Sequence, residues 1–158
     1  MLGRIVKEKM IFGIASYHRP QCKTYRFLIK IGISNSDILI GLNDEDDYEL
    51  YKRNYPESNI VVRKGFSAAF NRNTLLQEIN APCVLLDDDI SVIQILREKK
   101  KGKNPYFTNA TVEELKGCIE NCFEESRKNN AKIFGASPNN RGSDADMRLQ
   151  RWGALLLM

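Results

Sequence analysis

Three consecutive carboxylates, Asp87, Asp88 and Asp89, close the apolar run Cys83-Val84-Leu85-Leu86. A buried strand ending this way delivers acids to one exposed edge. Their mutual repulsion is a net cost unless a cation or several donors neutralise them. Hard oxygen ligands of this kind favour Mg2+ or Mn2+, held by one or two carboxylates and completed by the phosphates of a substrate. A solvated acidic turn is the plain alternative, and the flanking sequence has to separate the two.

The elements that must position these acids can be read from apolar runs and turn chemistry. Residues 10–15 form a short apolar strand, stopped by the polar turn Ser16-Tyr17-His18-Arg19-Pro20, with Pro20 suited to a first helical position. Helical spacing of Cys22, Tyr25, Leu28, Ile29 and Ile31 follows, and Gly32 offers an ending. Residues 38–42 read as the next strand, followed by the acidic Asn43-Asp44-Glu45-Asp46-Asp47 and a helix to about Tyr55, whose first turn such acids would complement. A third strand is expected over 59–62, a helix over 66–79 and a fourth strand over 83–86.

Beyond the acids, residues 90–96 fit strand or helix equally. Thr111-Val112-Glu113-Glu114 spells a capping box, with Val112, Leu115, Ile119, Cys122 and Phe123 as the apolar stripe behind it. The glycosylation spelling Asn109-Ala110-Thr111 is read as the start of that helix. Residues 132–136 and 154–158 resume the strand pattern. Alternating strands and helices predict a three-layer α/β/α domain with a mostly parallel sheet, spanning 1–158 as one unit. Ligands of such sheets collect beyond the carboxyl ends of the strands, where the loops at Ser16, Asn43, Lys64 and Asp87 would converge.

At 158 residues the chain can bury a core without staples. Hydrophobic residues at 42% and charged residues at 28% fit a globular domain, and much of the +4 net charge sits in a lysine-rich run at 97–103 that reads as a solvated loop. Four scattered cysteines read as core packing, Cys118 and Cys122 among them, and imply a reducing compartment. No apolar run approaches the roughly 18 residues of a membrane span, and no signal-peptide core opens the chain, so a cytoplasmic location is expected. The apolar terminal strand, if left as an unpaired edge, is a candidate surface for homo-oligomer formation.

Read together, the opening strand with Ser16-Tyr17-His18-Arg19-Pro20, the acidic turn after the second strand, the segment from Gly65 to Arg72-Asn73 and the Leu85-Leu86-Asp87-Asp88-Asp89 motif resemble the nucleotide-sugar-binding half of GT-A glycosyltransferases. The likeness is to the large inverting family with a DxD motif and covers roughly residues 10–90. It implies a transferase moving a sugar from a nucleotide-diphosphate donor, UDP-sugar favoured, with Mn2+ or Mg2+ as cofactor. Ser16, Tyr17 and Arg19 would line the base and ribose pocket, and Asp44 or Glu45 would read the base edge. Lys64 and Gly65 would border the donor, and Arg72 would approach the diphosphate or sugar. Asp87 would meet ribose, sugar or metal, and Asp89 the metal. Asp88, aimed at the other face if the strand continues, has the least defined role.

An inverting enzyme also needs an acceptor-side base. In this family it comes from a longer half after the DxD motif, so the chain is expected to lack part of that half. Asp144 and Asp146 are the acids placed late enough in sequence. The acceptor, whether glycan, lipid, protein or nucleic acid, is open. Two alternatives stand beside the enzyme: a nucleotide-sugar-binding module or fragment without turnover and, more weakly, a nucleotidyltransferase.

Overall fold

Parallel strands buried on both faces need continuous apolar runs, and the runs in this chain become strands of one sheet. The computed structural model describes residues 9–65, 67–97, 106–129, 133–136 and 154–157. In chain order it contains β1 (Ile11–Ala15), α1 (Lys23–Lys30), β2 (Ile38–Leu42), α2 (Asp46–Asn54), β3 (Asn59–Val62) and α3 (Ala68–Glu78). Then come β4 (Cys83–Asp87), β5 (Gln94–Arg97), β6 (Tyr106–Asn109), α4 (Val112–Lys128), β7 (Ile133–Ala136) and β8 (Ala154–Leu157).

The main sheet has the order β3-β2-β1-β4-β8-β7. Its first four strands are parallel, and β8 enters antiparallel between β4 and β7. Even positions of β1 and β4 (Phe12, Ile14, Val84, Leu86) join Ile38, Ile40 and Leu42 in the larger core, which α1, α2 and α4 cover with Leu28, Tyr51, Leu115 and Phe123. Odd positions such as Leu85 face the opposite layer, where α3 contributes Leu75. Helices therefore flank both faces, as expected for an α/β domain. A separate β5–β6 hairpin follows the acids.

Local chemistry sets the ends of the helices. The first helical position of α1 is Lys23 and not Pro20, and Cys22 caps the helix, its Sγ accepting from the Tyr25 N–H at 3.4 Å. Gly32, at φ +83°, closes that helix: its N–H donates to Ile29 and that of Ile33 to Leu28, both at 3.0 Å. The capping box forms as spelled, Glu114 N–H to Thr111 Oγ1 at 3.2 Å and Thr111 N–H to Glu114 Oε2 at 3.0 Å.

Residues 94–97, which the sequence leaves open between strand and helix, are strand. Three expectations change. Residues 106–109 form a strand that the glycosylation spelling had obscured, so the helix begins only after Thr111. Cys118 is exposed, while Cys122 packs against the core. The terminal strand β8 is paired on both sides, so it offers no free edge, and the ground for self-association through it falls away. Among the described residues, no helix is long and apolar enough to cross a membrane.

Burial leaves a mark on alkaline behaviour. Loss of solvent raises the Tyr25, Tyr51 and Tyr55 hydroxyls above their ordinary value of 10.0 and pushes the Cys22 thiol from 9.0 up to about 11. A raised pKa means that the folded state holds its proton longer than the unfolded chain does, so stability is intact below the unfolded values and is lost as pH rises through the folded ones. In urea unfolding the contribution of these groups to stability should be intact below about pH 9 and fall from there to pH 11, with phenolate absorbance from the three tyrosines appearing at higher pH in the folded protein than in the unfolded chain.

Candidate functional site

The site is built on register. Ala15 lies opposite Gly41 on one side and Asp87 on the other, so the carboxyl ends of β1, β2 and β4 are level and Ser16 meets the acidic turn. From β1 the chain crosses through α1 to β2 on one side, whereas β3 returns through α3 on the opposite face to β4. Strands β1 and β4 therefore flank the point where the winding reverses, the place where open α/β sheets form a ligand crevice.

Strand alternation separates the three acids. Asp87 turns to the α3 layer and pairs with Arg72 of that helix, both about one-third exposed. Asp88 turns to the α1–α2 layer, as anticipated for the other face, and is buried. Its Oδ2 accepts from Ser16 Oγ at 2.6 Å and its Oδ1 from Arg19 Nη1 at 2.9 Å. Asp89 stays in solvent, its side chain 62% exposed, with Arg19 Nη1 at 3.5 Å from Oδ2. The neighbouring carboxylate of Asp88, and behind it Asp89, raise the Arg19 pKa above its ordinary value.

The direction of the hydrogen bonds around Asp88 follows from chemistry. A carboxylate only accepts, so Ser16 donates to it, and Ser16 Oγ must then accept from Tyr51 Oη at 2.6 Å. Tyr51 Oη in turn accepts from the Arg19 N–H at 3.1 Å. The chain runs Arg19 N–H, Tyr51, Ser16, Asp88, and it ties the loop after β1 to α2 and β4. Asp47, buried in the first turn of α2, accepts from the His18 N–H of the same loop at 2.9 Å, and His18 Nδ1 lies 3.0 Å from the same carboxylate oxygen. His18 sits at φ +50°, a conformation non-glycine residues seldom adopt, and the backbone bond to Asp47 helps hold it there.

Two further residues fix the edge. Thr24 Oγ1 donates to the Asp87 carbonyl and accepts from the Ile90 N–H at 2.9 Å, while the Thr24 N–H reaches the Asp88 carbonyl at 3.2 Å. Asn71 Nδ2, buried under α3, donates to the Ser16 carbonyl at 2.9 Å and the Gly41 carbonyl at 2.7 Å. A Cβ on Gly41 would strike Asn71 Oδ1 and Leu75, so glycine is what allows α3 to lie this close. The Oδ1 atoms of Asn43 and Asn71 are buried without a hydrogen-bond partner among the described residues.

Comparison with protein-family models, with curated proteins and with solved structures gave no match. The site is therefore argued from its own geometry.

Of the residues expected to line it, Tyr17 is exposed with its ring against His18, and Arg19 projects toward the acids. Asp44, one residue ahead of the cap position of α2, accepts from the Asp46 N–H at 3.0 Å, and Glu45, at the cap position itself, is exposed and makes no side-chain capping bond. Lys64 is exposed, and Gly65 carries the Phe70 ring against its backbone. Ser16 is present but its hydroxyl is turned inward. Asp144 and Asp146 lie outside the described residues. Tyr51, Asp47 and Thr24 were not anticipated. The i, i+4 spacing of Asp47 and Tyr51 puts both on one face of α2, and that was the available signal.

As a metal site, the donor set is partial. No group of three His, Cys, Asp or Glu converges among the described residues. Asp89 is open, Asp87 is shared with Arg72, and Asp88 is committed to the fold, which fits a cation completed by substrate phosphates and not a cage made by protein alone.

These assignments separate by mutation. Asp88→Ala leaves buried Ser16 and the Arg19 loop without their acceptor and should cost about 1–3 kcal/mol in urea unfolding. Asp89→Ala, at an exposed position, should stay within about 0.5 kcal/mol of the parent. Equal losses from the two variants would refute this division of roles.

Proposed function

We propose that this chain binds a nucleotide-diphosphate sugar at the carboxyl edge between β1 and β4 and transfers the sugar as a metal-dependent glycosyltransferase of GT-A type, with UDP-sugar the favoured donor. The observation that carries the reading is the state of the three acids: one carboxylate, Asp89, stands largely in solvent at the winding reversal with only a long contact to Arg19 at 3.5 Å, while Arg72 balances Asp87 next to it.

In this reading Asp89, with Asp87, holds Mn2+ or Mg2+. When bound, the cation supplies Lewis-acid stabilisation to the departing nucleoside diphosphate. Arg72 and Arg19 leave their carboxylates for the phosphates, to which a guanidinium presents two parallel donors. Tyr17, exposed on the loop after β1, offers a ring face to the base, and Asp44 or Glu45 an acceptor to its edge. Asp88 takes no part in the chemistry and instead holds the loop after β1 through Ser16, which stays bonded to it when Arg19 turns to the phosphates. The acceptor hydroxyl forms its bond to the anomeric carbon as the bond to the diphosphate breaks, and its proton passes to a carboxylate base, for which Asp144 and Asp146 are the sequence's candidates.

Calorimetric titration with UDP, GDP and CDP, each with and without Mn2+, tests the reading. UDP should bind only with Mn2+, and Asp89→Ala should abolish the metal-dependent part while the unfolding curve stays in place. Binding that ignores the metal, or that survives Asp89→Ala, overturns it. Turnover of a bound UDP-sugar marks the enzyme, and metal-dependent binding with neither hydrolysis nor transfer marks a donor-holding module.

A further inference from the structure

A second concavity, of about 440 Å³, opens on the α1 side of the acidic turn, between that helix and the segments that lead into β5 and out of β6. One wall is basic by helical spacing: Lys23, Arg26 and Lys30 fall at i, i+3 and i+7 on α1 and all line the cavity. No acid lines it among the described residues. Arg26 lies 5.8 Å from the centre of the Tyr55 ring, and Lys23 and Lys30 make no ion pair among the described residues. Like charges along one concave wall repel one another, and an anion entering beside them lowers that cost.

The rest of the lining says what else the anion carries. Phe27 and Val92 give an apolar floor, Val92 being 43% exposed although it is a large aliphatic residue. Asn109 adds a side-chain amide at the far wall. The volume lies within the roughly 300–1,000 Å³ of small-molecule sites. Concavity with a cationic wall and an apolar floor favours a compact phosphorylated molecule over a polymer strand or bilayer, each of which needs an extended face.

Position ties this cavity to the acids. Lys23 precedes Thr24, whose N–H and hydroxyl are bonded to Asp88 and Asp87, and Ser91 of the lining lies two residues beyond Asp89. The geometry points to a second binding site, for the phosphomonoester of a small acceptor with an apolar part, beside the donor edge. The binding of a phosphomonoester stands on the cavity alone, whereas its role as acceptor site rests on the glycosyltransferase reading.

Phenyl phosphate is the probe, with phenol as control, followed by amide chemical shifts in the full chain. Saturable shifts at Lys23, Arg26, Val92 and Asn109 with phenyl phosphate and none with phenol are expected, and the double variant Lys23→Gln/Lys30→Gln should weaken binding about a hundredfold, the scale of two lost charge-assisted hydrogen bonds. Shifts centred on Asp87 to Asp89, or an affinity unchanged in the double variant, overturn the site. Tighter lysine-dependent binding of a short single-stranded oligonucleotide, or of vesicles of phosphatidylcholine with phosphatidylglycerol, overturns the choice of occupant. The same double variant should bind UDP and Mn2+ as the parent does. Failure of the parent to bind UDP with Mn2+ removes the donor reading and leaves the phosphate site standing.

Discussion

The carboxylate of Asp88 is the interaction on which the functional edge depends. It sits where a buried strand runs out, and an ionised group there is tolerable only if its oxygens are filled by donors. Ser16 and Arg19 fill them, and both come from the loop of the neighbouring strand. One acid thereby fastens the end of β1 to the end of β4, and through Tyr51 it brings in α2 as well. Thr24 makes the corresponding attachment to α1 from the backbone side. Asp88, Ser16, Tyr51 and Thr24 thus tie β1, β4, α2 and α1 together at one edge of the sheet.

That arrangement explains why three acids in a row are needed to present one or two. Alternation along a strand sends neighbours to opposite layers, so a run of carboxylates at a strand end distributes itself among the two helical layers and the solvent. Asp87 meets a cation from α3, Asp88 meets donors from the β1 loop, and Asp89 is left over. A lone acid at this position would have been consumed by the fold. The two arginines also lower the electrostatic cost of assembling the edge, and they remain within reach of any phosphate that displaces them.

Much of this was legible in the sequence because it is local. The runs at 38–42 and 59–62 become strands with those bounds, and the capping box at Thr111 forms as written. Period-two alternation was enough to send Asp88 away from Asp87. What could not be read was anything set by register across strands. That Ser16 would lie against Asp88 requires Ala15 to pair with Asp87, and no local pattern fixes that pairing. The inward turn of Ser16 and the service of Tyr51 follow from it. The β6 strand was a different kind of miss. Tyr106-Phe107-Thr108 is an aromatic and β-branched run of good strand character, overshadowed by the lysine-rich segment before it and the helix signal after it.

The placement of β8 carries the last step. A run of four consecutive apolar residues, Ala154-Leu155-Leu156-Leu157, suits a strand covered on both faces better than an edge, and the sheet uses it that way between β4 and β7. Because β8 runs antiparallel, Ala154 pairs with Leu86, the residue before Asp87, and on its other side with Ala136. Both ends of the connection from β7 to β8 are therefore anchored at the edge that carries the acids. Asp144 and Asp146 belong to that connection by sequence. A parallel β8 would have begun at the opposite edge, and the connection would then have had to cross the sheet. The antiparallel insertion instead opens and closes it at the edge where β4 delivers Asp87.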